Sequence, residues 1–143
     1  MSLAVLVVIV VVGIVAVVVA VHMTGGTRDA RLADEAAARR RFAEDFPNET
    51  PRGVALTASG TAAFLELDGP RTGIVQSFGD RFLTRIVTPA DIARVEEDGL
   101  ALTVEFRDFT WRRAVFDFPT LADSENIATR LSPANQNEKR RTA

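Results

Sequence analysis

Few side chains in this sequence are of the types that carry out catalysis, and they lie far apart along the chain. His22 is the sole histidine, and it follows an apolar N-terminal run. With no second histidine and no cysteine in the chain, neither a proton relay nor a zinc site can be assembled around it. We therefore expect His22 to anchor the chain at a membrane interface.

The remaining nucleophiles and acids form no catalytic motif. The serines of the C-terminal region have no histidine partner there, and the sequence contains no G-x-S-x-G turn, phosphate-binding loop or dinucleotide fingerprint. Glu96, Glu97 and Asp98 are adjacent, but carboxylates in a charged run beside a turn are usually solvated. These patterns predict a protein that is not an enzyme and that has no metal or cofactor.

Composition limits the size of the fold and the classes of ligand. The chain has 143 residues, enough for one compact domain between an apolar N-terminus and a polar C-terminus. Its 17 basic and 19 acidic residues are interspersed and give a formal net charge of -2. Because no strong positive field gathers polyanions, nucleic-acid binding is disfavoured.

The apolar run near the N-terminus is the strongest signal in the sequence. After a two-residue tip (1–2), residues 3–21 contain only Leu, Val, Ile, Ala and one Gly. A helix of this length spans about 28 Å, which matches the hydrocarbon core of a bilayer. Since lipid offers no partner to an unpaired amide, the run predicts a transmembrane helix. A cleaved signal peptide is the alternative, although no Lys or Arg precedes the run.

The distribution of arginine predicts the orientation in the membrane. No basic residue precedes the predicted helix, whereas several arginines follow it within about 20 residues. These arginines are Arg28, Arg31, Arg39, Arg40 and Arg41. By the positive-inside rule we expect a single-pass protein with its N-terminus outside and its C-terminal domain in the cytoplasm.

Small residues on the predicted transmembrane helix offer a packing face. Gly13, Ala16 and Ala20 lie close to one helical stripe, where small side chains let another transmembrane helix approach closely. The alternative is that these residues are only tolerated in lipid. The predicted partners are the bilayer and, on the first interpretation, another membrane protein.

Three short segments connect the predicted membrane helix to the folded domain. Residues 22–27 contain two adjacent glycines and are predicted to form a hinge. Residues 28–46 are rich in Ala, Arg and Glu and predict a juxtamembrane helix, which a turn-rich linker follows over 47–53. Either the arginines of this helix meet anionic headgroups, or the helix is a solvated spacer whose few apolar residues pack on the domain.

Residues 54–131 predict an α+β domain, because their period changes from helical to alternating. Seven short strands separated by turn residues predict an antiparallel arrangement, and Leu102, Val104 and Phe106 alternate with polar residues most clearly. Thr120 then begins a helix that ends before a proline. The polar residues 132–143 are expected to be disordered.

Two stretches carry a resemblance to known domains. FLELDGPRTGIVQSFGDRFLTRIVTPADIARVEEDGLALTVEF joins strand pairs through a TPADIARVE link, and WRRAVFDFPTLADSENIATRL leads from the last strand into the helix. Over about residues 54–131 this order resembles the PH-like and GRAM-like superfamily, including its membrane-associated bacterial members. The resemblance implies a small antiparallel β-barrel or bent sheet closed by a C-terminal helix, used to bind lipid headgroups or proteins.

Two functional hypotheses follow from these features. The first is a membrane-tethered interaction or assembly module, whose candidate partner surface is Trp111 with Arg112 and Arg113, unless Trp111 packs in the core. The second is a domain that senses anionic lipid through arginines near the membrane. The candidate lipid contacts are Arg39, Arg40, Arg41, Arg71, Arg81 and Arg85.

Overall fold

The computed structural model describes residues 2–23 and 29–133, which form an N-terminal helix followed by an α+β domain. In chain order the elements are α1 (Leu3–Met23), α2 (Glu35–Asp45), β1 (Gly53–Leu56), β2 (Ala62–Glu66), β3 (Thr72–Phe78), β4 (Arg81–Val87), a 3₁₀ turn (Pro89–Asp91), β5 (Ile92–Asp98), β6 (Ala101–Phe106), β7 (Arg113–Asp117) and α3 (Leu121–Leu131). The expected tail over 132–143 lies outside the described residues from position 134 onward.

The helix α1 is long and apolar enough to cross a membrane by length and composition. Its mean hydropathy is 3.6, and every one of its residues is exposed. The helix ends at Met23, two residues later than expected, so His22 is helical rather than part of a hinge. The remainder of the expected hinge, residues 24–27, lies outside the described residues. Gly13, on the proposed packing face, has open space around it.

The helix α2 begins at Glu35, later than the expected start at Arg28, which lies outside the described residues. Asp34 caps the helix, because its side chain accepts a hydrogen bond from the Ala37 amide at 2.8 Å. Residues 29–34, which we call the strap, are not helical. Their amides bond to the β-domain instead: Ala30 N donates to Gly79 O and Leu32 N to Gly60 O, both at 2.7 Å.

The seven strands form two antiparallel sheets. One has the order β1-β2-β3-β4 and the other the order β5-β6-β7. Within the described residues the ladder is not continuous from one sheet to the other, so the expected barrel is not closed. The backbone hydrogen bond from Ala58 N to Asp117 O, at 2.7 Å, joins the sheets at one corner.

The four-stranded sheet is apolar on both faces. Along its register, Ala55, Phe64 and Ile74 share one face, which packs against the second sheet and α3. Val54, Leu65, Gly73 and Ile86 share the other face, which α2 covers. Both rows are buried or half-buried, so this sheet requires a layer on each side.

The C-terminal helix α3 covers one end of the core between the sheets. Thr120 caps it by accepting a hydrogen bond from Asp123 N at 3.2 Å, as its sequence predicts. Ile127, Ala128 and Leu131 are buried in the shared core. Arg130 then ties the helix to the four-stranded sheet through an ion pair with Glu66 at 2.9 Å.

Helix α2 packs tightly on the sheet at Phe42, which is fully buried. Its ring lies over Gly73, where a Cβ atom would come within 2.6 Å of Phe42 Cε2 and 2.8 Å of Cζ. Phe46 packs against the Phe42 ring with centroids 5.0 Å apart, which limits the freedom of the ring to move aside. Gly73 therefore provides the space that lets α2 dock.

We expect Gly73→Ala to destabilise the protein by about 1–3 kcal/mol, because the added methyl overpacks a site with no free volume. The measurement is chemical unfolding of the full chain in detergent, followed by the fluorescence of Trp111, the only tryptophan. Gly53→Ala is the matched control in another strand, since its Cβ would come no closer than 3.4 Å to Glu66. An equal loss in both variants would show that close contact with Phe42 is not the cause.

Candidate interaction surface

The six candidate lipid arginines do not form one patch. Arg71 directly precedes β3, whereas Arg81 pairs with Phe78 at the far end of that strand. A strand of this length extends about 23 Å, so the two guanidinium groups lie at opposite ends of the sheet. A single headgroup cannot bridge them.

Three of these arginines bind groups within the protein. Arg71 donates to both carboxylate oxygens of Glu49, at 2.7 and 3.1 Å, and hydrogen bonding to Glu49 raises the pKa of Arg71. Arg39 donates to the Pro51 carbonyl at 2.6 Å. Arg41 donates to Asp45 at 2.9 Å and to the Phe82 carbonyl of β4 at 3.1 Å. These bonds attach α2 and the linker after it to the sheet.

Arg85 is a fourth arginine with a structural role. It stands in the same register row as Phe64 and Ile74, at the edge of the core. Its guanidinium carbon lies 4.9 Å from the ring centroids of both Phe106 and Trp111. Asp108 lies 3.8 Å away and balances the charge. Arg85 therefore closes the core between the sheets by cation–π contact rather than projecting freely into solvent.

The other basic candidates are exposed. Arg40 and Arg81 lie at the surface, as do Arg112 and Arg113. Across residues 2–23 and 29–133, these four side chains form no ion pair within 4.0 Å. They are the arginines of the candidate set that remain available to a partner or a headgroup.

Trp111 has features of both roles predicted from the sequence, a partner-surface residue and a core residue. It is half-buried, and its ring stacks on Phe106 with centroids 5.5 Å apart and planes inclined by 15°. It also precedes β7, which begins at Arg113, although the sequence pattern predicts a last strand that begins at Trp111. One side of the indole thus packs on the core edge, and the residue also lines an open groove.

This groove, which we call the β4 groove, has a volume of about 630 Å³ and lies between β4 and the loop before β7. Its walls combine apolar residues with a few polar ones. They are Phe78, Leu83, Thr84, Arg85, Ile86, Asp108, Thr110 and Trp111. Because four consecutive residues of β4 line it, the groove follows the edge of that strand. In the part of the chain that the structure describes, β4 is the last strand of its sheet, so its outer backbone groups have no neighbouring strand. Arg41 takes one of these groups, the Phe82 carbonyl.

Large apolar side chains at and beside the groove are exposed to solvent. Phe109 is 91% exposed, Phe78 71% and Leu83 48%. Phe78 lies on the core-facing side of β3 but extends beyond the cover of the second sheet. Sequence alternation places Phe78 on that side but cannot show how far the second sheet extends over it. Phe109 lies in a loop, where no strand periodicity is present. Neither exposed phenylalanine was therefore identified from sequence.

The loop beside the groove is held by its own polar groups. Asp108 Oδ1 accepts hydrogen bonds from Thr110 N at 3.0 Å and from Thr110 Oγ1 at 2.9 Å. The backbone and side-chain bonds from Thr110, together with the charge of Arg85, lower the pKa of Asp108. The ionised carboxylate thus fixes the turn that carries Phe109.

The fold and the groove define a small two-sheet α+β domain that follows a helix long enough to span a membrane. No family model matches the chain, and no curated protein or solved structure matches it either. In the part of the chain that the structure describes, no three His, Asp or Glu side chains are arranged to hold a metal ion. The candidate site is therefore the β4 groove and its rim.

We expect the loop geometry to depend on pH in the acid range. Because the folded pKa of Asp108 is lowered, its stabilising bonds are fully present above the ordinary carboxyl pKa of about 3.9 and are lost as the pH falls through the lowered value. Trp111 emission in the full chain should therefore stay constant from neutral pH to about pH 4 and change below it.

The variant Asp108→Ala should shift Trp111 emission at neutral pH and flatten that acid titration. Asp45→Asn is the control, because the pKa of Asp45 is also lowered, chiefly by a hydrogen bond from Thr84, but Asp45 lies on α2. A titration that is unchanged in Asp108→Ala would show that this carboxylate does not hold the loop.

Proposed function

We propose that this protein is a single-pass, membrane-anchored, non-catalytic interaction module with a PH-like domain. Its β4 groove binds an extended polypeptide segment from another membrane protein. The observation that carries the proposal is an open groove, about 630 Å³ in volume, along the edge of a strand that has no neighbouring strand among the described residues.

The anchoring part of the proposal is supported by α1. The helix is apolar along its whole length and has no buried residue. Exposure of such a helix to water would be costly, whereas a bilayer satisfies both its side chains and its internally bonded backbone. The arginines that follow it support a cytoplasmic domain.

The edge of β4 favours an extended segment as the occupant. A strand added to a sheet edge bonds through its backbone, while its alternate side chains enter pockets on the flanking surfaces. Here the flanking surface consists of Leu83 and Ile86 on β4 and Trp111 on the opposite wall. Apolar side chains at alternate positions of the segment would bury the exposed area of Leu83. The tether to α1 favours a partner that is itself in the membrane.

The PH-like resemblance gains support from the order of elements. Seven antiparallel strands followed by a C-terminal helix over the core have the order that the resemblance implies, although the two sheets do not close into a barrel in the described part of the chain. Sensing of anionic lipid by arginines is less well supported, because Arg39, Arg41, Arg71 and Arg85 already bind groups within the domain.

A topology reporter fused to the C-terminus tests the compartment. A reporter active only in the cytoplasm should give a signal, because the arginines follow the helix and none precedes it. The matched control moves three arginines to the N-terminal side of α1, which should invert the signal. An external signal from the unmodified chain would place the domain and its partner on the other side of the membrane.

Site-specific crosslinking in intact cells tests the groove. A photoreactive residue at position 83 should give a discrete protein adduct, and one at position 115 should not. Leu83 and Val115 are both exposed strand residues, at 48% and 59%, but Val115 lies on the polar outer face of the second sheet. Trp111→Ala should abolish the adduct at position 83. Equal adducts at both positions, or none at position 83, would rule out the groove as the binding site.

A further inference from the structure

A small polar cleft lies between β1 and α3, at the edge of the four-stranded sheet opposite the β4 groove. We call it the α3 cleft; its volume is about 130 Å³. Since a water molecule takes up about 30 Å³ of liquid volume, the cleft has room for about four groups of that size. A ligand of this cleft is therefore small, or enters it with one end only.

One wall of the cleft is a row of residues that crosses three strands. Gly53, Glu66 and Thr72 are in register, on the face of the sheet that turns toward the shared core. Gly53 leaves the row open, because a Cβ atom there would come within 3.4 Å of Glu66 Oε2. The next row on the same face contains Phe64 and Ile74 and is apolar. The core therefore gives way to polar groups at this row.

The other wall is one side of α3. Asp123, Asn126, Ile127 and Arg130 line the cleft and are spaced at i, i+3, i+4 and i+7, which places them on one face of the helix. Of these four residues only Ile127 is apolar. The helix and the sheet thus meet here chiefly through charged, amide and hydroxyl groups.

Two buried polar atoms of the lining have no hydrogen-bond partner within the described ranges. Thr72 is 1% exposed, and its Oγ1 atom is unpartnered. Arg130 donates through Nη1 to Glu66 at 2.9 Å and through Nη2 to the Arg71 carbonyl at 3.1 Å, whereas its Nε is unpartnered. Because an unpaired buried polar group is unfavourable, an acceptor atom that enters the cleft and bonds to both is favoured.

The charges of the lining show what else the ligand carries. Two carboxylates, Glu66 and Asp123, face a single guanidinium, Arg130, so the formal charge of the lining is negative. Glu66 Oε1 accepts from Arg130, and Asp123 Oδ2 accepts from Thr120 Oγ1 at 2.9 Å. Among the residues that the structure describes, the second oxygen of each carboxylate has no donor. A cationic donor is therefore favoured over an anion.

We propose that the α3 cleft binds a primary ammonium group with an adjacent carbonyl oxygen, as in an α-amino amide or the amino terminus of a peptide. The ammonium donates to the second oxygens of Glu66 and Asp123. The carbonyl oxygen accepts from Arg130 Nε and Thr72 Oγ1. The site depends neither on the membrane anchor nor on the peptide in the β4 groove, since β1 and β4 are opposite edges of the sheet.

Titration of the full chain in non-ionic detergent at pH 6.5, followed by amide chemical shifts, tests the site. The two compounds are glycinamide and propionamide, which have the same size and the same amide but differ in the ammonium group. Glycinamide should give saturable shifts at Gly53, Thr72 and Ile127 and should bind at least about tenfold more tightly, because its ammonium forms charge-assisted hydrogen bonds. Equal binding of the two compounds, or no saturable shift, would show a cleft that holds only water and would overturn the proposal.

The variant Thr72→Val tests the carbonyl contact while keeping the shape of the side chain. It should weaken glycinamide binding at least about threefold, and it should unfold at the same or a higher denaturant concentration, because the lost hydroxyl has no partner in the described fold. Thr103→Val is the matched control, since Thr103 lies beside Val115 on the outer face of the second sheet. A large loss of stability in Thr72→Val, or an equal loss of binding in both variants, would contradict the proposal.

The variant Asp123→Asn tests the ammonium contact without relying on Thr72. Asparagine can still accept the hydrogen bond from Thr120 that Asp123 accepts through Oδ2. Glycinamide binding should weaken at least about fivefold, with propionamide binding unchanged, because only the charge is removed. Unchanged glycinamide binding would show that this carboxylate does not receive the ammonium group.

Two further compounds distinguish the sources of such a group. Triglycine amide should bind more tightly than glycinamide if the natural ligand is a peptide amino terminus, because the rest of the peptide adds contacts along β1. Free glycine should match glycinamide if the natural ligand is an amino acid. Either result supports the proposal, whereas failure of all three ammonium compounds to bind would overturn it and leave the β4 groove untouched.

Discussion

Burial of both faces of the four-stranded sheet is the constraint on which the rest of the domain depends. One face takes part in the core with the second sheet and α3, and the other needs its own cover. The short helix α2 supplies that cover, with Phe42 filling the gap that Gly73 leaves between Leu65 and Ile86. Because α2 must lie across the sheet, the strap before it must cross the turns at one end. The packing of a single ring thus determines where the chain departs toward α1.

The need to cover the four-stranded sheet also explains why several arginines bind groups within the domain. A short helix that contributes few apolar side chains needs further attachment, which Arg39 and Arg41 provide through the Pro51 and Phe82 carbonyls. Arg71 and Arg85 act similarly at a turn and at the edge of the core. Residues that suggest a lipid-binding patch in the sequence are therefore largely engaged within the fold. What remains exposed at the groove is chiefly aromatic.

Local patterns predicted the main elements, and contacts distant in sequence determined the rest. The apolar N-terminal helix, the antiparallel strands and the C-terminal helix were confirmed, because run length, alternation and capping are local signals. The start of α2 was not predicted correctly, since the Ala30 amide bonds to a turn 49 positions later in the chain. The partial burial of Arg85 and the exposure of Phe78 likewise depend on where the second sheet lies. Alternation assigned each residue to a face but could not show whether that face was covered.

The strap is held through main-chain atoms, and this affects which sequence changes it can tolerate. The amides of Ala30 and Leu32, two residues apart, donate to the Gly79 and Gly60 carbonyls and so tie the strap to both turns. Many different side chains at positions 29–31 are compatible with those bonds, so the amino-acid sequence can vary there in related chains. An insertion or deletion of one residue between 30 and 32 would break the register of the pair. In related sequences, the length of this segment should therefore be preserved more strictly than its composition.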